Sequence, residues 1–291
     1  MKNSPLFGIL AGLAAASIWG GMYVVSKAVM AVIPPFILLT SRLLLGILTL
    51  YIVIALRGGL KVTSKQFWQI FGVGFVGYGI SLGFQFVGTN LSTASNGSLV
   101  TSATPAFVLI FAALLLKEKI TWRRMLALLV ASLGVVAVID PRTAQLSSDL
   151  FLGNLALVGA ALTWALYSVL IRKVTRNMDV LPVSLIAFAG GLPVSIPLGA
   201  WEASTQGIGA ITPGVVAGVL FIGIISTGLA MYLWNSAFAI LDAGVASLTF
   251  FAQPVVGTVL GAIFLKEAIT PLFIIGGVLI GVGLLISSTE K

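Results

Sequence analysis

Cysteine and histidine are absent from the 291 residues, and Asp, Glu, Lys and Arg together make up only 8% of them. Without cysteine there are no disulfides and no thiol chemistry. Without histidine there is no imidazole proton relay, and most zinc sites and histidine-ligated haem are excluded. A soluble domain carries about 25% charged residues, so this chain has too little polar surface to face water. No Gly-rich loop precedes a Lys-Ser or Lys-Thr pair, which removes the usual phosphate-binding loop and with it ATP hydrolysis. The sequence offers neither a nucleophile–base pair nor a metal cluster, so an enzyme acting on lipids within the membrane is not expected. Neither is an intramembrane aspartyl protease, which needs two facing aspartates. No cofactor is expected.

What the chain has in abundance is apolar length. Hydrophobic residues make up 59% of it, and the mean hydropathy is +1.14. A helix needs about 20 apolar residues to cross the hydrocarbon core. Ten such runs are present, near 5–26, 35–56, 67–87, 95–116, 122–139, 150–171, 181–200, 213–235, 244–265 and 271–288. The alternating segments of about 10 residues typical of membrane β-barrels are missing. The fold class expected is an all-α membrane protein with ten transmembrane helices. The first run continues past its small residues Ala14-Ala15-Ala16, so it reads as an uncleaved first helix rather than a signal peptide.

The net charge of +8 lies between the apolar runs and lacks the aromatic interleaving of a nucleic-acid platform. It follows the positive-inside pattern instead. With ten spans, twelve Lys and Arg residues fall on one side, among them Arg57, Lys117, Lys119, Arg123, Arg124, Arg172 and Lys173. Only Lys27, Arg142 and Lys266 fall on the other. Both termini are therefore expected in the cytoplasm, in a multi-pass protein of the inner or plasma membrane.

The two halves resemble each other at an offset of 145 to 149 residues. Leu116-Lys117-Glu118-Lys119-Ile120-Thr121 matches Leu265-Lys266-Glu267-Ala268-Ile269-Thr270. Pro105 matches Pro254, Ser98-Leu99 matches Ser247-Leu248, Gly74 and Gly79 match Gly223 and Gly228, Gly134 matches Gly283, and Trp19 matches Trp164. This divides the chain into 1–143 and 149–291, each with five spans. Five is odd, so the second repeat is expected to be inverted relative to the first. Inverted repeats can exchange conformations and so open a shared cavity to alternate faces.

With Trp19 in Ala14-Ala15-Ala16-Ser17-Ile18-Trp19-Gly20, Pro34-Pro35 ahead of Arg42, and Thr104-Pro105 and Gln253-Pro254 ahead of the two Leu-Lys-Glu helix ends, the chain resembles the drug/metabolite transporter superfamily. It is closest in pattern to the EamA-type branch of two five-helix repeats. The resemblance covers essentially the whole chain. It implies an exporter of amino acids or other metabolites, as in the YddG-like exporters of aromatic amino acids, without fixing a substrate.

All eight acidic residues lie at span ends or in loops, which disfavours a buried carboxylate as proton carrier. Glu118 and Glu267 read as partners of the helix starts that follow them, and Thr270-Pro271 as an N-cap followed by a first-turn proline. Arg42 is the one ionisable residue inside a span, roughly 10 Å below its outer end. The expectation is that it snorkels outward to carbonyls at helix ends; the alternative is a gate or a contact for a substrate anion. Pro105 and Pro254 sit mid-helix and are expected to act as hinges or cavity-lining kinks that free the carbonyls of Thr101 and Phe250. Trp19, Tyr23, Tyr78, Gln85, Thr101, Thr104, Trp164, Tyr167, Trp234, Asn235 and Gln253 fall within spans, where each polar group needs a partner. As a set they are expected to line a substrate cavity; singly, each is equally explained by helix–helix bonding. Glycines spaced by four, such as Gly8/Gly12 and Gly277/Gly281, read as packing sites, and those between 276 and 283 as a possible homodimer face.

The function expected is a secondary transporter, an exporter of a small metabolite such as an amino acid, working by alternating access. The alternatives are a lipid or sugar-conjugate translocator and a non-transporting membrane scaffold or sensor. The partners expected are a small-molecule substrate and membrane lipids, with no nucleic acid.

Overall fold

Lipid supplies no hydrogen-bond partner to bare backbone, so a chain this apolar must satisfy its amides within each segment. The computed structural model describes residues 4–60, 62–92, 100–139, 151–265 and 271–288. Among these residues every regular element is helical. The helical stretches are α1 (Pro5–Met30), α2 (Pro35–Leu56), α3 (Ser64–Leu91), α4 (Thr104–Leu116), α5 (Trp122–Ile139), α6 (Phe151–Thr175), α7 (Val180–Thr205), α8 (Pro213–Ile240), α9 (243–265) and α10 (Pro271–Ser288). Nine of them follow the apolar runs of the sequence, several extending a turn further, whereas α4 begins at Thr104 rather than near residue 95. Six of them, α1, α2, α3, α6, α7 and α8, are long and apolar enough to cross a membrane. At 26 residues α1 spans about 39 Å, more than the ~30 Å hydrocarbon core.

The helix starts follow their local chemistry. Proline opens α1, α2, α8 and α10, where its missing N–H costs nothing. Ser4 caps Phe7, Thr212 caps Val215, and Thr63 and Gln66 form a reciprocal capping box at α3. Lys117 ends α4 in the left-handed conformation, φ 57°. Thr270, Lys266 and Glu267, Ser98 and Leu99, the stretch 140–149 and the chain ends, all named in the sequence reading, lie outside the described residues.

The distribution of polarity is inverted relative to a soluble protein. Leu44, Leu48, Leu56 and Leu114 are exposed, whereas Arg42, Ser184, Thr227, Asn235 and Gln253 are buried. An exterior of leucine and an interior of hydrogen-bonding groups is what lipid requires.

Helices of the first half pack mainly on helices of the second. α1 packs on α8 and α9, and α6 on α3 and α4; α3 meets α7, and α8 meets α2; α2 lies along α7 and α5 along α10. In the last pair a Cβ on Gly134 would come within 2.7 Å of the Gly276 carbonyl oxygen, and one on Gly283 within 2.8 Å of that of Ala127. Gly277 and Gly281 face open space.

Four irregularities interrupt the helices. A π-helical turn runs through Phe75–Ser81 in α3 and another through Phe221–Leu229 in α8. The chain turns at Ser102-Ala103 immediately before α4, and a 3₁₀ turn, Thr249–Phe251, divides α9 into Ala243–Leu248 and Ala252–Leu265. Pro105 therefore stands in the first turn of α4, and Pro254 in the first turn of the second part of α9. This corrects the expectation of mid-helix kinks: both prolines restart a helix after a break, where a missing donor is least costly. The Phe250 carbonyl is not left free, because the Ala252 N–H turns toward it.

Candidate functional site

Beside the irregular turns lies a narrow cavity of about 30 Å³. Trp19 and Met22 come to it from α1; Ser81, Leu82 and Gln85 from α3; Thr101 from just before α4, and Thr104 from α4 itself. Ala160, Ala161 and Trp164 come from α6, Met231 from α8, and Phe250 and Gln253 from α9. Trp19 and Trp164 meet edge to face with centroids 5.8 Å apart, and Phe250 lies 6.1 Å from Trp19.

Several wall groups lack protein partners. The Trp164 indole N–H, the Gln253 amide nitrogen, Gln85 Oε1 and the Thr104 hydroxyl are buried and unbonded. Buried polar groups are ordinarily paired, so four open groups on one wall mark a place where something polar can bind. The Gln85 amide nitrogen donates to the Tyr23 hydroxyl at 2.7 Å, and Tyr23 shares a 3.1 Å hydrogen bond with Thr101. A second, smaller hollow of about 10 Å³ adjoins the first through Met22 and Gln85 and continues past Tyr23, Ser26 and Phe86 to Met30 and Thr89. There the Lys27 ammonium donates to the carbonyls of Thr89, Asn90 and Ser92 at 2.9–3.1 Å.

Trp19, Gln85, Thr101, Thr104, Trp164 and Gln253 thus lie on the cavity wall, and Tyr23 on that of the adjoining hollow. Tyr78, Tyr167, Trp234 and Asn235 do not reach the wall, which corrects their place in the expected lining. The Tyr167 hydroxyl donates to Asn235 Oδ1 at 2.8 Å, so in the 2.6 Å contact between the two tyrosines Tyr78 must be the donor. Asn235 in turn donates to Ser184 at 2.9 Å. This closed chain ties α3, α6, α8 and α7 together and leaves no group over for a ligand. Trp234 donates to Ser168 at 3.2 Å and lies tilted against Trp19, at 5.3 Å, and against Phe238, at 4.8 Å.

Beyond Phe238 this end of the bundle is closed by an ion-pair cluster. Arg172 donates to Glu118 at 2.9 Å, to Asp242 at 2.7 Å and to the Phe238 carbonyl at 3.0 Å. Arg124 donates to Asp242 at 2.7 Å and lies 3.5 Å from Glu118. Both Glu118 oxygens also accept from the Ala243 N–H. Glu118 therefore caps the start of α9 rather than the helix that follows it, because the fold brings that N-terminus and Arg172 to it.

Arg42 departs from expectation most clearly. It does not snorkel; it is fully buried. Its Nε donates to Thr227 at 2.8 Å within the π turn of α8, and its guanidinium carbon lies 5.3 Å from the centre of the Phe86 ring. Its two terminal nitrogens have no partner.

Met22, Ser81, Leu82 and Met231 are wall residues that the sequence reading passed over. For three of them the signal was helical spacing: Met22 lies three residues after Trp19, and Ser81 and Leu82 lie four and three before Gln85, on the same helix face.

A sequence model of the EamA-like transporter family matches residues 6–139 and again 151–289. The chain is 25% identical over 289 residues to the uncharacterized transporter YetK of Bacillus subtilis (strain 168), covering 98% of this chain and 88% of that one. An uncharacterized transporter of Archaeoglobus fulgidus is 24% identical over 276 residues, covering 94% of each. A solved crystal structure superimposes with a TM-score of 0.80 over 96% of each chain at 21% identity, a likeness of fold alone.

Proposed function

We propose, from the premise that this chain belongs to the EamA-like transporter family, that it is a ten-span secondary transporter exporting a small metabolite by alternating access. The observation that carries this reading is the origin of the cavity wall. It is built from α1, α3 and α4 of one half and from α6, α8 and α9 of the other, which are counterparts in order. Further support comes from the helix packing, which maps onto itself when the halves are exchanged: α1 on α8 corresponds to α6 on α3, and α1 on α9 to α6 on α4. The π turns of α3 and α8 and the breaks at α4 and α9 correspond in the same way. An upended second repeat, 149–291 against 1–143, accounts for all of these.

In this reading the ion-pair cluster and both termini face the cytoplasm across a plasma or inner membrane. The chain is then held closed on the inside by Trp234, Phe238 and the pairs of Glu118 and Asp242, and the adjoining hollow leads outward. Rocking the halves breaks that cluster and opens the inner path. The polar side chains on the described wall are alcohols, amides and indoles, none of which titrates near neutrality, so the driving force is the gradient of the substrate or of an exchanged solute.

The natural absence of cysteine gives a clean test. A single Gln253→Cys, reconstituted in vesicles, should react with a membrane-impermeant thiol reagent applied from either face. Reaction from one face only, under all conditions, would show a fixed pocket and end the alternating-access reading.

A further inference from the structure

We infer that the molecule carried is a planar aromatic acid, bearing an anionic group and no ammonium group. The inference rests on the transporter reading and specifies the substrate class of the same cavity. Its carrier is the charge balance around Arg42. Among the described residues no carboxylate neutralises this guanidinium. Glu202 is engaged with the backbone N–H groups of Phe36 and Ile37 at the outer end of α2. Glu118 and Asp242 are held by Arg124 and Arg172 at the opposite end. Asp179 caps the start of α7. Two uncharged groups lie against Arg42: the Thr227 hydroxyl and the Phe86 ring. An unneutralised cation in a low-dielectric interior projects its field over many ångströms.

That field reaches the substrate space. Arg42 lies against Phe86, which lines the adjoining hollow together with Tyr23 and Gln85. Gln85 is also part of the main cavity wall. The unpartnered terminal nitrogens of Arg42 stand one side chain behind the lining, where they act as a field and as latent donors.

The wall itself points the same way. Two of its open groups, the Trp164 indole N–H and the Gln253 amide nitrogen, are donors suited to a carboxylate oxygen. The Thr104 hydroxyl can donate as well, and the Gln85 amide presents either end by a flip. No acidic side chain is on the wall to hold an ammonium group. A cationic or zwitterionic molecule would place its ammonium unpaired in a dry site near a like charge, which is doubly unfavourable. Trp19, Trp164 and Phe250 supply faces and edges for a flat ring.

The test uses four molecules that share one ring: phenylacetate, phenylacetamide, phenethylamine and phenylalanine. Binding to the purified full-length protein in detergent at neutral pH is followed by quenching of tryptophan fluorescence excited beyond the absorption of the phenyl ring. Phenylacetate is expected to bind at least about 10-fold more tightly than phenylacetamide, and phenethylamine and phenylalanine more weakly than either. In Arg42→Gln the preference for phenylacetate over phenylacetamide should fall toward unity, whereas Arg42→Lys should keep it. Should Arg42→Gln fail to fold, the ranking of the four molecules on the unaltered protein decides alone. Tightest binding of phenethylamine or phenylalanine, or no binding of any of the four, overturns the inference. The transporter reading stands or falls separately, on two-sided labelling of Gln253→Cys.

Discussion

The indole N–H of Trp19 donates to the Ser226 carbonyl at 3.0 Å, whereas that of Trp164, whose ring meets Trp19 edge-on at 5.8 Å, has no partner. The two tryptophans occupy matching places in the two halves, yet only one is spent on holding helices together. Trp19 ties α1 to the π turn of α8; the Trp164 donor, on the cavity wall, is left unspent.

Replacing each by phenylalanine should therefore separate two effects. Trp19→Phe loses a buried hydrogen bond and leaves a carbonyl open, so it should lower stability by about 1 kcal/mol or more. Trp164→Phe removes a group that is unsatisfied in the empty protein, so its melting temperature should change less while ligand binding weakens, about tenfold for one good hydrogen bond. Thermal melts in detergent and binding titrations of the two variants measure both. Equal melting temperatures together with equal affinities would contradict the distinction.

At the closed end, burial sets the order of effects. Glu118 is 9% exposed and Asp242 48%. Glu118→Gln should cost on the order of 3 kcal/mol, because it leaves Arg172 and Arg124 short of a buried counter-charge. Asp242→Asn should cost about 1 kcal/mol, since water screens that partner. Denaturation midpoints of the two variants check the ranking, and the reverse order would refute it.

Close backbone approach makes Gly20 intolerant of any side chain. A Cβ there would lie 2.7 Å from the Gln253 carbonyl oxygen and 3.0 Å from the Gly257 nitrogen. Backbone cannot yield, so Gly20→Ala should push α1 off α9 and destabilise by about 1–3 kcal/mol. Gly277, with nothing within 4 Å, should accept alanine neutrally or gain up to about 1 kcal/mol of helix propensity. Paired melting curves report the contrast.

Lys27 holds the C-terminal end of α3 by donating to three carbonyls. Lys27→Met leaves those last-turn acceptors without a cation, so the end of α3 should fray. Hydrogen exchange of the amides from 86 to 92 should quicken severalfold, while the ion-paired end of α3's neighbours keeps its protection. Unchanged exchange near residue 90 would show that Lys27 is dispensable there.

The fate of particular residues shows why some of the site was legible and some not. Trp19, Gln85, Trp164 and Gln253 could be picked out because polar and aromatic side chains within apolar runs are costly and so need a reason to be there. Tyr78, Tyr167 and Asn235 carry the same signal, yet they spend it on one another. Nothing local distinguishes a polar group that pairs across helices from one that faces a cavity; the difference is set by which helix lies opposite. Arg42 was misjudged for the same reason. Depth along a helix permits snorkelling, but Thr227 and Phe86 sit where its inward rotamer is held. Pro105 and Pro254 were placed in sequence correctly and misread in structure, since the turns just before them arise from packing at Ser102-Ala103 and Thr249–Phe251.

Composition and spacing by themselves determined that this chain is helical and embedded in a membrane. Hydrocarbon forbids unpaired backbone, so apolar length translates almost directly into helix position. Only the tertiary structure decided which polar groups are satisfied and which are left open, and that Glu118 joins Arg172 and Ala243 across distant parts of the chain. Hydrogen bonds and ion pairs act over about 3 Å between residues up to some 200 positions apart, and such a distance exists only once the helices have packed.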